Sequence, residues 1–272
     1  MAKITAAEVN KLRKQTGAGM MDCKKALVEA EGDFEAAVDI LRKKGQKVAA
    51  KRADRDATEG AVIAKTNGSD KGAVIKLSCE TDFVAKNENF VALANKIADI
   101  ALASGVSTAE ELGAVEFEGG LTVAAKLQEQ TGVIGEKIEV AEMATVNAPY
   151  VASYIHMGNK IGTLVGLTAE AAEAGRDVAM QAAAMNPVAL NRDAVPQEVI
   201  DRELEVGKDL ARQEGKPEEM LEKIAAGRLN KFFKENTLVD QDFIKDSKLS
   251  VSKYLTSVEA GLAVVDFKRV SL

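Results

Sequence analysis

Asp82 and Phe83 place a carboxylate beside a large apolar ring within residues 81–87 (TDFVAKN). The ring can fill an apolar cleft on another molecule, while the carboxylate accepts hydrogen bonds there. An alternating run at 73–79 predicts a strand before this segment, and helical spacing at 87–103 predicts a helix after it. The alternative for Phe83 is an ordinary core aromatic. Because a loop held by rigid elements can present side chains to a partner, the chemistry expected here is contact.

The sequence offers little material for covalent or acid-base catalysis. His156 is the only histidine, so a Ser-His or Cys-His pair would need it, and no Gly-x-Ser-x-Gly motif accompanies it. Cys23 and Cys79 lack CxxC spacing, which argues against a disulfide framework or a zinc site. Paired carboxylates could still hydrolyse a substrate, although none lies in a recognisable motif. We therefore expect no catalytic residue, cofactor or metal, with a hydrolase as a lesser alternative.

The glycines at 17 and 19 do not form a nucleotide-binding motif. No GxxxxGK[ST] string is present, no strand precedes them, and the βαβ context of a dinucleotide fingerprint is missing. They instead predict a sharp turn between two helices. The net charge of −6 and the aromatic content of 4% also disfavour a nucleic-acid surface. We expect no direct nucleotide or nucleic-acid binding, which leaves contact with another protein.

Length and composition predict a soluble globular protein. A chain of 272 residues with 46% hydrophobic content can bury one large core or two moderate ones. No stretch approaches the roughly eighteen apolar residues of a membrane helix, and the N-terminus runs directly into helical patterning. With two isolated cysteines, a reducing cytoplasm is the expected location, away from any membrane.

The first fifty residues predict a module of three short helices. A Thr5-to-Glu8 capping box starts the first helix, the second begins near Met20, and Gly32 ends the second. A basic run at 42–55 follows with little acid. We interpret this run as a solvated helix end and a tether, with contact to an acidic protein surface or RNA as the alternative.

From residue 59 the apolar period changes from helical to alternating. Runs at 61–65 and 73–79 predict a β-hairpin, on which the following helix should pack. A second set follows the same plan. Its predicted strands and helix are 138–146, 151–156, 161–167 and 176–185. Two antiparallel sheets with helices on one face of each indicate an α+β fold.

A densely charged segment at 196–235 interrupts this core. Narrow apolar stripes on either side of 215–217 (GKP) predict an antiparallel helical hairpin. The stripes either bury against each other or also support a homodimer. The predicted domains are an N-terminal module at 1–54, a first core subdomain at 55–146, a second at 147–190 with 238–272, and the inserted hairpin at 191–237.

Two strings together resemble the elongation factor Ts family of bacterial nucleotide exchange factors: residues 81–86 (TDFVAK) and 16–27 (TGAGMMDCKKAL). Further matches extend over nearly the whole chain, at 134–136, 153–156, 215–217, 227–228 and 242–244. The resemblance implies an N-terminal domain of the ubiquitin-associated type. It also implies a non-enzymatic factor that binds elongation factor Tu, opens the magnesium and phosphate end of its nucleotide site, and speeds exchange of GDP for GTP.

The resemblance also implies three groups of contact residues. The wedge near the partner's magnesium site comprises Thr81, Asp82, Phe83 and Val84. Contacts to the partner's nucleotide domain are expected from Arg13, Met20, Met21, Lys24 and Lys51, although one of the two methionines could belong to the core. Contacts to its third domain are expected from the second half of the core and the returning segment, at Ile134, His156, Ile244 and Lys245.

Two departures from the family pattern affect these expectations. Lys245 stands where some relatives have an apolar residue, and the chain ends at Leu272 where longer relatives add a partner-contacting helix. The main alternative function is a helical adaptor that binds other proteins through its N-terminal module. Such an adaptor would not need the acid-aromatic pair.

Overall fold

The computed structural model describes residues 4–272. These residues form an N-terminal helical module, two three-stranded antiparallel sheets, two short ribbons and a helical hairpin. The expected α+β class is confirmed. In chain order the elements are α1 (Ala6–Thr16), α2 (Met20–Glu29), α3 (Phe34–Arg52), β1 (Glu59–Thr66), β2 (Lys71–Cys79), α4 (Asp82–Ala85), α5 (Glu88–Ser104), α6 (Ala109–Ala114), β3 (Glu116–Glu118), β4 (Leu121–Thr122), α7 (Val123–Ile134), β5 (Glu139–Asn147), β6 (Tyr150–Ile155), β7 (Ile161–Leu167), α8 (Ala172–Met185), α9 (Gln197–Gln213), α10 (Glu218–Asn236), β8 (Asp242–Phe243), β9 (Asp246–Ser250), α11 (Val251–Val258) and β10 (Val264–Ser271).

The first three helices form a small module with its own apolar core. Thr5 caps α1, and Glu8 completes the capping box by accepting hydrogen bonds from the Thr5 amide and hydroxyl, both at 2.7 Å. Asp33 caps α3 by accepting from the amide of Ala36. The buried side chains of the module are Val9, Leu12, Ala18, Cys23, Ala26, Leu27 and Ala37. The predicted three-helix module is therefore present.

The third helix extends through most of the basic run, so the tether interpretation fails for residues 42–52 while the helix-end interpretation holds. α3 runs unbroken for 19 residues to Arg52, so most of the basic run is helical. Its second half packs on α7, where Gly45 and Gly132 let the two backbones approach: a Cβ on Gly45 would lie 3.0 Å from the carbonyl oxygen of Gln128. The tether prediction is wrong for these residues because Lys and Arg are good helix formers and because α7 supplies a packing surface that periodicity alone does not reveal.

Replacing Gly132 with Ala should push α3 away from α7. The added methyl would overlap the Cα of Gly45, and overpacking of this kind costs about 1–3 kcal/mol. We expect the melting temperature, followed by circular dichroism, to fall by roughly 2–10 °C. Gly227→Ala on α10 is the matched control, because nothing lies within 4 Å of that position and Ala favours a helix. Equal melting temperatures for the two variants would contradict the close helix contact.

The two main sheets stack face to face between two layers of helices. The first sheet has the strand order β1-β2-β5, and the second has the order β10-β7-β6. Successive residues of β1 show the stacking, because Ile63 packs in the core covered by α5, whereas Val62 packs with Leu164 of β7. α8 covers the outer face of the second sheet. Burial on both faces explains the nearly continuous apolar runs in β1 and β2.

β5 belongs to the first sheet rather than to the second hairpin-and-helix set with which its strand was listed, although the predicted subdomain boundary at residue 146 left it in the first subdomain. A strand near 138–146 is present, at Glu139–Asn147, but it pairs with β2. Only two residues separate β5 from β6, and such a short connection predicts a hairpin. Instead, the amide of Ala148 donates to the carbonyl of Asp70 at 3.0 Å in the β1–β2 turn, and the chain crosses from one sheet to the other.

The charged insertion forms the expected helical hairpin. α9 and α10 are joined by residues 214–217, as the GKP break predicts. Gly207 of α9 lies against Ala225 of α10, and both Ala211 and Leu221 are buried between the helices. Three apolar side chains of the hairpin remain exposed, namely Val206, Leu210 and Met220.

Other helix boundaries differ from the predictions by a few residues. α8 begins at Ala172, four residues before its predicted start, and α11 extends to Val258. Within residues 4–272, no helix combines the length and the apolar character needed to span a membrane.

Candidate partner-binding site

Residues 81–87 form a one-turn helix whose aromatic side chain faces solvent. Thr81 caps α4 by accepting a hydrogen bond from the amide of Val84 at 3.5 Å. Phe83 is 83% exposed, whereas Val84 is half-buried against the first core. The ring therefore contributes nothing to the protein's own core, and the core-aromatic alternative for Phe83 is wrong. The predicted strand-to-helix turn is present, with an extra helical turn inside it.

Asp82 begins α4 and is ionised at neutral pH. Its carboxylate accepts a 2.6 Å hydrogen bond from Nζ of Lys86, four residues further on. This hydrogen bond lowers the pKa of Asp82 below its usual value. Asp82 and Phe83 thus present a negative charge and an apolar ring side by side on one exposed turn.

The carboxylate of Glu136 holds the chain where β2 ends and α4 begins. Its Oε2 accepts hydrogen bonds from the amides of Glu80 at 3.1 Å and Thr81 at 3.0 Å. Its Oε1 accepts from the Thr81 hydroxyl at 2.7 Å. Glu136 reaches this point because Gly135 ends α7 in the left-handed conformation, with φ of 83°. One carboxylate therefore satisfies three donors of the turn.

Glu80 forms a second anchor beside the first. Both of its carboxylate oxygens lie within hydrogen-bond distance of Nη1 of Arg52, at 2.7 and 2.9 Å, and Oε1 also accepts from the amide of Lys137 at 2.6 Å. The Lys137 amide and the Arg52 guanidinium hold the pKa of Glu80 below its usual value. Because Arg52 is the last residue of α3, this ion pair joins the helix of the N-terminal module to the residue preceding the turn.

Cys79 lies under the turn as a neutral thiol. Its Sγ is 3.2 Å from the Thr81 carbonyl oxygen, and the side chain is buried. Burial, together with the nearby carboxylates of Glu136 and Glu59, raises the pKa of Cys79 to about 12. A thiol in this state is a poor nucleophile and a poor metal ligand. Across residues 4–272, no group of three or more His, Cys, Asp or Glu side chains is placed to hold a metal ion.

Two methionines at the start of α2 form an exposed apolar surface. Met20 is 54% exposed and Met21 is 61% exposed, so neither belongs to the module's core and the core alternative is wrong for both. Lys24, one turn further along α2, and Arg13, near the end of α1, are also exposed. Lys51 is exposed at the far end of α3. The structure therefore presents all five side chains of this predicted group to solvent.

The third predicted group divides between two environments. His156 follows β6 and is exposed, with Nδ1 3.1 Å from the hydroxyl of Tyr154. Ile244 is 43% exposed, and its amide donates to the side chain of Gln181 on α8 at 2.9 Å. Ile134, by contrast, ends α7 and packs against the first core, so its placement on the second half of the core is wrong. α7 was not recognised from sequence, which explains the error.

Lys245 forms an ion pair with a buried residue, while its own side chain stays 49% exposed. Its Nζ lies 2.6 Å from Oδ1 of Asp177, a buried residue of α8 whose other oxygen accepts from the Tyr254 hydroxyl at 3.1 Å. Burial raises the pKa of the Tyr254 hydroxyl to about 12, and the hydrogen bond to the Asp177 carboxylate adds to this effect. Lys245 therefore neutralises a buried carboxylate and positions the segment that carries Ile244.

Sequence reasoning missed the residues that hold the turn. Glu136 is 55 positions from Thr81, and the contact exists only because β5 pairs with β2. The family-matching strings could have pointed to these residues, since Glu136 lies in the 134–136 string and Glu80 directly precedes TDFVAK. Met157, beside His156, was also missed although it is 88% exposed.

Comparison with known proteins places the chain in a family. The family model described as "Elongation factor TS" matches residues 80–272. The chain is 62% identical to Elongation factor Ts of Christiangramia forsetii and 57% identical to that of Flavobacterium psychrophilum. Both comparisons cover the full length of this chain and of the relative. It is 46% identical to Elongation factor Ts of Kineococcus radiotolerans over 99% of this chain and 98% of the relative. The chain therefore belongs to the elongation factor Ts family.

Proposed function

We propose that this translation elongation factor binds elongation factor Tu and promotes its release of GDP by inserting Asp82 and Phe83 near the magnesium end of the nucleotide site. The observation that carries the proposal is the 83% exposure of Phe83 on a turn anchored at both Glu80 and Glu136. A large apolar ring held in solvent is costly unless another molecule covers it. Family membership supports elongation factor Tu as that molecule, and we infer that both proteins act in the cytoplasm.

Exchange requires negative coupling between two ligands of one partner, and it requires no acid, base or nucleophile on this chain. The wedge must favour an opened form of elongation factor Tu, because equal binding to both forms would shift nothing. Burying one Phe side chain contributes about 1.5–3 kcal/mol. If that energy is realised only in the opened form, it weakens GDP binding by roughly 10- to 150-fold.

The other predicted groups would supply affinity rather than opening. Met20 and Met21 offer soft side chains that adapt to an irregular surface, and the neighbouring cations suit an acidic one. His156 and Ile244 would contact the partner's third domain. Lys245 and Ile134 would add to this contact through the parts of their side chains that stay exposed, since Lys245 is 49% exposed beside Asp177 and Ile134 is only partly buried against the first core.

Homodimerisation through residues 191–237 stays a prediction. The exposed Val206, Leu210 and Met220 of the hairpin are the side chains that would be covered. Sedimentation of the full chain would test it. The helical-adaptor alternative leaves the exposed ring unexplained, because Phe83 lies outside the N-terminal module.

A stopped-flow experiment tests the proposed function. Elongation factor Tu loaded with fluorescent GDP is mixed with this chain and excess unlabelled GDP. We expect release to accelerate by roughly 100-fold at saturation. Reciprocity requires GDP to weaken binding of this chain to elongation factor Tu by the factor by which the chain weakens GDP binding, which calorimetry can measure. An unchanged release rate with a folded chain would refute the proposal.

A further inference from the structure

We propose that Glu136 is the positioning residue of the exchange wedge, and that the Arg52–Glu80 ion pair extends this support to the N-terminal module. The inference rests on the proposed exchange function. It concerns residues that touch the wedge turn from behind, on α3 and on the segment between α7 and β5, rather than residues that would touch the partner.

The first step is the hydrogen bonding of the turn. The amides of Glu80 and Thr81 precede α4, so neither has a partner within that helix. A carboxylate is an acceptor only, and Glu136 uses it for these two amides and the Thr81 hydroxyl. Hydrogen bonds to a charged group are roughly twice as strong as neutral ones. With Glu136 removed, water would replace three directed bonds, and the backbone carrying Phe83 would sample other orientations.

The second step is the effect of that freedom on exchange. The exposed Phe83 ring can stabilise the opened form of the partner only if the turn that carries it keeps its conformation during insertion. A turn that must be ordered at the moment of insertion loses part of the contact energy to conformational entropy. Positioning by Glu136 removes this cost before the partner arrives. The side chains expected to give affinity, such as Met20 and Met21, lie elsewhere and are unaffected by the turn.

The third step connects the wedge to the N-terminal module. α3 carries the module's core at its beginning and ends at Arg52, whose guanidinium contacts the Glu80 carboxylate. Both side chains are mostly shielded, with 34% and 17% exposure, which limits the screening of the pair by solvent and salt. The methionine surface and the wedge are both expected to meet the partner's nucleotide domain. A rigid helix between them sets their spacing.

The test compares Glu136→Ala with Glu136→Gln in the stopped-flow assay, over a range of concentrations of this chain. We expect Glu136→Ala to lower the maximal release rate about tenfold, the effect of losing one charge-assisted hydrogen bond. The concentration giving half-maximal acceleration should change less than about twofold, because the affinity surfaces are intact. Glu136→Gln should recover most of the rate, since its amide oxygen can accept from both N–H groups and its nitrogen can donate to Thr81.

Glu142→Ala is the matched control, because Glu142 is a half-exposed carboxylate of β5 whose one ion pair within residues 4–272 is with Lys76, at 3.6 Å. Its rate and melting temperature should equal those of the parent. An undiminished maximal rate in Glu136→Ala would overturn the proposal. So would a rate loss that Glu136→Gln fails to recover, or one accompanied by an equal loss for Glu142→Ala.

Amide hydrogen exchange on the free protein gives a readout that does not depend on elongation factor Tu. Peptides covering 80–87 should exchange faster in Glu136→Ala than in Glu142→Ala, while peptides from β7 should not differ. If the parent chain fails to accelerate GDP release, the proposed function fails, yet this measurement still decides whether Glu136 orders the turn. Equal exchange in the two variants would overturn the positioning role.

A double-mutant cycle tests the link to α3. Arg52→Met and Glu80→Gln should each lower the maximal release rate about threefold, within the range measured for partly exposed ion pairs. Because both act through one pair, the combined loss should be smaller than the product of the single losses. Strictly multiplicative losses would overturn the link to the N-terminal module.

Discussion

Replacing Asp82 and Phe83 together with Ala is expected to lower the maximal rate of GDP release about 100-fold. The double variant removes the apolar ring, which is worth about 1.5–3 kcal/mol in the opened partner, and the carboxylate that would hold the shifted surface. Stability should barely change, because Phe83 is 83% exposed and surface substitutions usually stay within about 0.5 kcal/mol. Stopped-flow release and thermal unfolding measure the two effects on one preparation.

Val258→Ala is the control for this variant, since it shortens another exposed apolar side chain at the end of α11. Its release rate should equal that of the parent. The single variants Phe83→Ala and Asp82→Asn divide the effect, and the ring should account for the larger part. A fall in melting temperature that parallels the loss of rate would mean that the turn supports the fold, and the wedge assignment would then be abandoned.

Replacing Met20 and Met21 together with Asp is expected to raise the concentration giving half-maximal acceleration about 100-fold, while the maximal release rate stays within about threefold. Two apolar side chains lost from a contact, with two carboxylates added, amount to roughly 3 kcal/mol of binding. The wedge itself is untouched, so a saturating concentration should restore opening. The measurement is a titration of the release rate with each variant.

Val258→Asp provides the matched control, because it adds a charge at an exposed apolar position that no predicted contact includes. Met20 and Met21 are 54% and 61% exposed, so their loss should not unfold the module. If the methionine variant lowered the maximal rate and left the half-maximal concentration unchanged, the two surfaces would not have the separate roles assigned to them. Together the two experiments distinguish opening from affinity.

Local patterns predicted many single elements of this fold, although α6, β3, β4 and α7 were not predicted. The Thr5–Glu8 capping box, the β1–β2 hairpin and the charged helical hairpin are each set by contacts within a few residues or a few turns. Such contacts leave a periodic trace that survives in one sequence. Pairing between distant segments leaves no such trace, which is why the β5 strand was listed with the second set and the packing of α3 on α7 was not foreseen.

The candidate site divides in the same way. The residues expected to contact a partner stand out in the sequence. Phe83, Met20 and Met21 are apolar side chains that the spacing of the neighbouring core residues does not require. The residues that hold the turn in place, Glu136, Glu80 and Arg52, are charged residues of types common on any protein surface, so they do not stand out. Lys245 illustrates the difference, because the resemblance gave it as a contact residue, whereas its ion pair with the buried Asp177 is visible only in the folded chain.

The sequence alone determined three features: the acid-aromatic pair, the absence of any recognisable nucleotide or catalytic motif, and the family resemblance. Each depends on residue types in a short window. Tertiary structure decided that Phe83 points outward and that Glu136, Glu80 and Arg52 meet behind it. Those contacts join residues 28 to 56 positions apart along the chain. Their geometry arises only when β5 pairs with β2 and α3 packs on α7, because burial and hydrogen bonding across such separations are properties of the folded chain.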